Sequence, residues 1–133
     1  MNTLIKSGSI KESTVDCFRI LSPTAILGYG FPVDSFEKGL EEKIDLIAVD
    51  AGSIDAGPYY LGSDKHYVGL ASLRRDLTVM IQAALEQNCP CIIGSAGFSG
   101  ANPQCDEVVE IVRDIIATES DRSVKLRVIH ADL

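Results

Sequence analysis

The chain has 133 residues, 46% of them hydrophobic and 23% charged, a composition typical of one folded domain and not of a disordered chain. Its formal net charge of −7 argues against nucleic acid as a partner, because binding to phosphate backbones depends on clustered Lys and Arg. No apolar run approaches the ~20 residues of a membrane span, and the N-terminus lacks a secretory signal pattern. We therefore expect a cytoplasmic protein without membrane contact, whose four cysteines are reduced.

Residues 1–16 are polar and show no hydrophobic period, which predicts a flexible N-terminal arm before a single α/β domain over residues 17–133. Within that domain, short β-branched runs alternate three times with longer amphipathic stretches, and a fourth run follows. This pattern predicts a Rossmann-like fold with three layers, in which helices cover both faces of a mostly parallel sheet of about four strands. The predicted strands cover residues 17–21, 44–49, 91–93 and 126–129.

Three amphipathic stretches between the strands predict helices over about residues 32–42, 73–85 and 102–119. Ser72 and Asn102 precede the second and third stretches, and both residue types commonly accept hydrogen bonds from the first N–H groups of a helix. We therefore predict them as the N-caps. The last predicted strand alternates apolar and polar residues from Val124 onward, which is typical of a half-exposed edge strand.

Ligands in open parallel sheets bind outside the carboxyl ends of the strands, so the segments after the strands are the candidate site. After the first strand, Ser22 opens a long loop that contains two glycines. After the second strand, residues 50–63 far exceed the ~2–6 residues of a usual connection, which predicts a functional loop or a lid. Tyr59 and Tyr60 are adjacent there and cannot point the same way, so we expect one to line a pocket and the other to pack.

The segment after the third strand, residues 94–100, is the best candidate for binding an anion. Its small residues allow backbone N–H groups to converge just before a helix N-terminus, which favours phosphate or carboxylate. The spacing is neither the dinucleotide fingerprint nor a P-loop, because the glycines recur every third residue and no Lys is present. The alternative is a tight structural turn. The residues expected to bind the anion are Gly94, Ser95, Gly97, Ser99 and Gly100.

Two carboxylates follow the second strand, and they are the candidates for catalysis. Asp50 leaves an apolar strand, where partial desolvation can raise its pKa into the range of a general acid or base. Together with Asp55 it can instead hold a divalent cation, or it can cap the loop by accepting backbone N–H bonds. Ser22, Ser53 and Tyr59 are expected to orient the substrate.

The sequence leaves alternative roles for one histidine and for a pair of arginines. His130, near Asp132, is either a general base oriented by that carboxylate or a histidine satisfied by the backbone. Arg74 and Arg75 oppose the dipole at the start of the second predicted helix. Their placement indicates an acidic partner, either a carboxylate after the second strand or a bound anion, or else a solvated pair at a neighbouring acidic face.

Four stretches of the chain carry a resemblance to a known family, at residues 20–30, 48–62, 92–97 and 128–132. The second is the most specific and reads DAGSIDAGPYYLG from Asp50 onward. In these stretches the chain resembles the N-terminal part of the acyclic terpene utilisation protein A family, whose members are associated with the bacterial breakdown of citronellol- and geraniol-type compounds.

The resemblance implies a catabolic enzyme or a piece of one. The family's chains are much longer, which implies a homo-oligomer or a complementary subunit that carries the rest of the fold. Two positions depart from the family pattern, since Ala56 stands in place of proline and His130 in place of tyrosine.

The expected ligand is a small carboxylate or an acyl-coenzyme A-like anion. No nicotinamide or flavin fingerprint is present, which favours a lyase, hydratase or hydrolase over a redox enzyme. The sequence leaves any cofactor or metal open. The alternative function is a non-catalytic subunit that binds a ligand or assembles with a partner.

Overall fold

The computed structural model describes residues 17–53 and 55–131. The predicted N-terminal arm lies outside the described residues, and so does Asp132. The elements in chain order are β1 (Ile20–Leu21), α1 (Val33–Leu40), β2 (Leu46–Asp50), α2 (Gly57–Ser63), α3 (Leu70–Gln87), β3 (Cys91–Gly94) and α4 (Asn102–Glu119).

The three strands form one parallel sheet in the order β1-β2-β3, which confirms the predicted α/β class. Ile20 pairs with Leu46, and Asp50 pairs with Gly94 at the other end of β2. This last pair matters for function, because it places the carboxyl ends of β2 and β3 at the same level. The segments that follow these two strands therefore start side by side.

The two faces of the sheet differ in burial. Ile47 and Val49 of β2 are buried in one apolar cluster together with side chains of α1, α3 and α4. On the opposite face, the side chains of Ile20 and Ile92 are 59% and 55% exposed. This difference follows from the alternation of side chains along a strand. Helices on both faces remain a prediction.

Helices α3 and α4 pack against each other and supply most of the core. Leu77 and Met80 of α3 and Val108 of α4 are almost fully buried, as the predicted apolar stripes require. None of the helices in the described part of the chain is long and apolar enough to span a bilayer.

The starts of α3 and α4 differ from the prediction. Ser72 is not the N-cap of α3, because the helix begins at Leu70 after Gly69. Ala101 caps α4, so Asn102 is its first helical residue. Neither helix has a side-chain cap. A helix start read from a cap motif in the sequence alone is uncertain by one or two residues.

The predicted fourth strand, residues 126–129, is not paired with the sheet in the described part of the chain. Residues 123–130 belong to no helix or strand and border the two cavities that also touch β3 and α4. Their exposure alternates at the C-terminal end, where Val128 is 39% exposed and Ile129 is 87% exposed. The segment therefore has the side-chain pattern of a strand without the hydrogen bonds of one. A strand here remains a prediction.

Candidate functional site

The segments after the three strands meet at the carboxyl edge of the sheet. The N–H of Leu27 donates to the carbonyl of Asp50 over 3.0 Å, and the N–H of Ala51 donates to that of Gly94 over 2.9 Å. Gly52 packs directly on Ser95, since a Cβ at position 52 would lie 2.6 Å from the Ser95 Cβ. The structure thus brings the segments predicted to bind the ligand into direct contact.

The segment 95–100 forms a tight turn with an unusual backbone. Ser95, Gly97, Phe98 and Gly100 all have positive φ angles, of 48°, 89°, 78° and 89°. The Phe98 N–H donates to the Ser95 carbonyl over 2.8 Å, and the Ser99 N–H donates to the Gly97 carbonyl over 3.0 Å. Those two N–H groups therefore donate within the turn itself. This agrees with the alternative prediction, in which the segment is a structural turn. Positive φ at Ser95 and Phe98 is a form of strain that accumulates at functional sites.

The side chain of Gln104, near the start of α4, anchors the segment 95–100 by hydrogen bonds. Its buried side chain donates from Nε2 to the Lys65 carbonyl over 3.0 Å and accepts a hydrogen bond at Oε1 from the Ser99 hydroxyl. Gly97 lies so close that a Cβ there would be 2.6 Å from the Gln104 carbonyl carbon. The turn is therefore held rigidly against the start of α4.

Asp76 of α3 anchors the loop after β1 in the same way, through hydrogen bonds of its side chain. Its carboxylate is only 2% exposed, and its Oδ2 accepts the N–H groups of Gly28 and Gly30, both over 2.9 Å. The Arg75 guanidinium donates to Oδ1 over 2.9 Å. Charge-assisted bonds of this kind offset the burial of a carboxylate.

Arg74 and Arg75 each form an ion pair with an aspartate. Arg75 pairs with Asp76, and Arg74 pairs with Asp114 on α4 over 2.5 Å. The predicted partnership with the carboxylates after β2 is therefore wrong. The alternative, in which the pair contacts a neighbouring acidic face, holds for Arg74.

Aromatic side chains cover part of the carboxyl edge. The Tyr67 ring stacks on Phe98 with centroids 4.4 Å apart, and Tyr60 meets both rings edge-on. The hydroxyl of Tyr29 shares a hydrogen bond with that of Tyr67, and this bond raises the pKa of Tyr29. Tyr60 is the tyrosine that packs, while Tyr59 is largely exposed.

A cavity of about 530 Å³ opens beside the carboxyl end of β3, and we call it the β3–α4 cavity. It lies between the outer edge of β3, the first half of α4 and residues 125–131. Its size falls in the ~300–1,000 Å³ range of small-molecule sites. Of the residues predicted to bind the substrate, Ser95 and Gly100 line it. The rest of its wall is mainly apolar and includes Ile93, Val109, Leu126 and Val128.

A second cavity of about 380 Å³ continues along β3 toward its amino end. Both cavities border Cys91, Ile93 and Leu126. The two therefore follow the whole outer edge of β3. The cavity at the carboxyl end is the candidate site, because it alone reaches the predicted anion-binding turn.

The titratable groups that line the cavity are one histidine, two thiols and two basic side chains: His130, Cys91, Cys105, Lys125 and Arg127. His130 Nε2 lies 2.8 Å from Asp106 Oδ1, so a carboxylate does orient this histidine, although it comes from α4. Burial raises the pKa of the Cys91 thiol to about 11 and also raises that of Cys105. Both thiols are protonated at neutral pH, and a nucleophilic role for them is disfavoured because the thiolate is the reactive form.

Asp50 lies at the same edge and is exposed, with its Oδ1 accepting the Gly52 N–H over 2.9 Å. It therefore caps its own loop, as one of the three alternatives predicts. Asp55 is exposed as well, and among the described residues no group of three His, Cys, Asp or Glu side chains is placed to hold a metal ion. Ser22 and Tyr59 are exposed residues of the loop after β1 and of α2.

Comparisons of the chain with protein-family models, curated proteins and solved structures find no match. The assignment of the site therefore rests on its own geometry. The resemblance to the acyclic terpene utilisation protein A family remains a prediction.

Proposed function

We propose that the chain binds a small carboxylate with an apolar body, or the acyl group of an acyl-coenzyme A-like molecule, in the β3–α4 cavity. The observation that carries this proposal is that an apolar cavity of ligand size ends at Ser95 and Gly100, in the turn that the sequence predicts to bind an anion. An apolar wall with a few convergent polar groups at one end is the usual form of a small-molecule site.

The charge around the cavity supports an anionic ligand. Lys125 and Arg127 border it, in a chain whose net charge is −7. No ion pair between described residues involves either of them. Local positive potential raises the local concentration of anions and speeds their association.

We further propose that the chain is a cytoplasmic enzyme, or a subunit of one, similar to the acyclic terpene utilisation protein A family. The proposed reaction is that of a lyase, hydratase or hydrolase. Asp50 is the proposed proton-transfer group, since it is exposed beside Gly94 and held by the Gly52 N–H. Asp55 is proposed to act with it, and Ser22, Ser53 and Tyr59 to orient the substrate. None of these five residues lines the β3–α4 cavity, so this proposal requires the substrate to extend from the cavity along the carboxyl edge of the sheet.

A specific observation also favours the second candidate function, that of an assembly subunit. The sheet face opposite the core exposes Ile20 and Ile92, next to the largely exposed Phe18. A second copy or a complementary subunit would cover these side chains and supply the predicted third layer. Native mass spectrometry separates the two: a monomer with a bound small molecule supports the first function, and a ligand-free dimer supports the second.

Octanoate is a suitable probe of the first function, because it combines a carboxylate with an apolar chain. We expect isothermal titration calorimetry to detect octanoate binding, and 1-octanol, which lacks the charge, to bind at least about tenfold more weakly. Cys105→Phe adds a ring at the wall of the cavity and is expected to abolish binding. Arg113→Phe adds the same ring on the exposed face of α4 and is expected to leave the affinity unchanged.

Octanoate binding that is equal in the two phenylalanine variants would place the ligand elsewhere. An absence of octanoate and octanoyl-coenzyme A binding would contradict the proposal. Circular dichroism of both variants serves as the control that each remains folded.

A further inference from the structure

The outer edge of β3 is open in the described part of the chain. β3 pairs only with β2 among the described strands, so its other edge borders the two cavities. Ile92, in the middle of this strand, is among the residues that line the β3–α4 cavity. Open strand edges offer a row of backbone donors and acceptors to any extended segment that can reach them.

Residues 123–130, which we call the outer segment, are the candidate for such a segment. They begin four residues after the end of α4, and successive residues line first the cavity at the amino end of β3 and then the β3–α4 cavity at its carboxyl end, so the segment runs beside β3 in the same direction. A strand that follows a β3–helix unit in the same sheet runs parallel to β3, with the right-handed connection that such units almost always have. The outer segment is therefore positioned as the next strand of the sheet.

The outer segment is only lightly held in its present position. No backbone–backbone hydrogen bond between described residues involves residues 123–130. Among the described residues, its side-chain hydrogen bond is that of His130 with Asp106, an exposed pair at the end of the segment. Val124, Leu126 and Val128 alternate along it and are each a little less than 40% exposed. They present an apolar row that pairing with β3 would bury further.

We propose that the outer segment closes onto β3 as a fourth parallel strand, and that this closed strand and a ligand in the β3–α4 cavity exclude each other. The inference rests on the proposed function, because the ligand is the one proposed above. The reason for the exclusion is geometric. The cavity occupies the space between β3 and the outer segment, so pairing the two removes the volume that the ligand needs.

Hydrogen exchange followed by mass spectrometry tests this directly on the full chain. In the free protein, we expect amides of residues 124–130 to exchange at least about tenfold more slowly than in an unstructured peptide, since the closed strand protects them. Saturating octanoate is expected to return these amides to fast exchange, while the amides of β2 stay protected.

Two adjacent proline variants provide a matched control. Successive residues of a strand direct their N–H groups to opposite sides, so only one of Val128→Pro and Ile129→Pro removes a bond to β3. We expect one of the two variants to lose the slow exchange and the other to keep it. Fast exchange of residues 124–130 in the free wild-type protein would overturn the proposal, and so would two prolines without effect.

The response to octanoate distinguishes a failure of this proposal from a failure of the proposed function. If calorimetry shows octanoate binding but the slow amides of residues 124–130 do not respond, the exclusion is wrong and the proposed function stands. If calorimetry shows no binding, the proposed function and the exclusion both fail, and the two proline variants decide whether the fourth strand forms.

Discussion

Gly97→Ala is expected to lower the free energy of unfolding by about 3–4 kcal/mol, because two separate costs combine at this position. The residue has a φ of +89°, where an L side chain is strained. In addition, the new Cβ would lie 2.6 Å from the Gln104 carbonyl carbon and 2.8 Å from the Cys105 nitrogen. These are backbone atoms at the start of α4, so the contact cannot be relieved by a side-chain rotation.

Gly100→Ala is the matched control. Gly100 has the same φ of +89°, but a Cβ there would meet nothing within 4 Å. Its expected cost is therefore the backbone strain alone, about 1–2 kcal/mol. Urea unfolding of both variants measures the difference. Equal losses of stability would show that the turn after β3 is not held tightly against α4.

Asp76→Ala is expected to lower the free energy of unfolding by about 3 kcal/mol, since it leaves buried donors without an acceptor. The N–H groups of Gly28 and Gly30 both donate to one oxygen of this carboxylate. Gly28 is buried, so water does not readily replace the lost bond there. The expected consequence for function is a loosened loop after β1 at the carboxyl edge of the sheet.

Asp76→Asn keeps an acceptor oxygen for both glycines and is expected to cost only about 1 kcal/mol. Arg75→Ala removes the exposed partner of the pair and is expected to cost about 1 kcal/mol or less, because solvent screens its charge. Urea unfolding again measures all three variants. A loss in Asp76→Asn as large as in Asp76→Ala would mean that the negative charge, and not the bonds to the loop, stabilises the fold.

Hydrophobic periodicity predicts the larger elements of this fold well. α4 ends at Glu119 as expected, and Asn88 stops α3 in a left-handed conformation with a φ of +54°. The central strand β2 is confirmed within two residues of its predicted start. Long amphipathic helices carry enough repeats for their period to be read reliably, because each buries one continuous apolar stripe.

Hydrophobic periodicity does not predict the short helix α2. It spans only Gly57–Ser63 inside the segment predicted as a loop, and it buries none of its residues. Seven residues hold less than two full turns, so no apolar period can be recognised. Pro58 is the one signal in the sequence, because proline is favoured in the first turn of a helix.

The candidate site is predictable only in part. The glycine-rich turn is recognisable from the sequence, and Ser95 and Gly100 do border the cavity. The sequence patterns do not identify Asp76 and Gln104, whose side chains hold the surrounding loops by hydrogen bonds. Their signal is a polar residue within an apolar helical stripe, as Asp76 is beside Leu73 and Leu77. The cavity itself depends on the distance between β3 and the outer segment, which no local pattern determines.

The most direct test of the proposed ligand site is a titration of the ¹⁵N-labelled protein with octanoate, followed by NMR chemical-shift changes of the backbone amides. We expect the largest changes at residues that line the β3–α4 cavity, such as Ser95, Gly100, Cys105 and Val128. No change at saturating octanoate, or changes confined to residues that do not line the cavity, such as those of α1, would contradict this site.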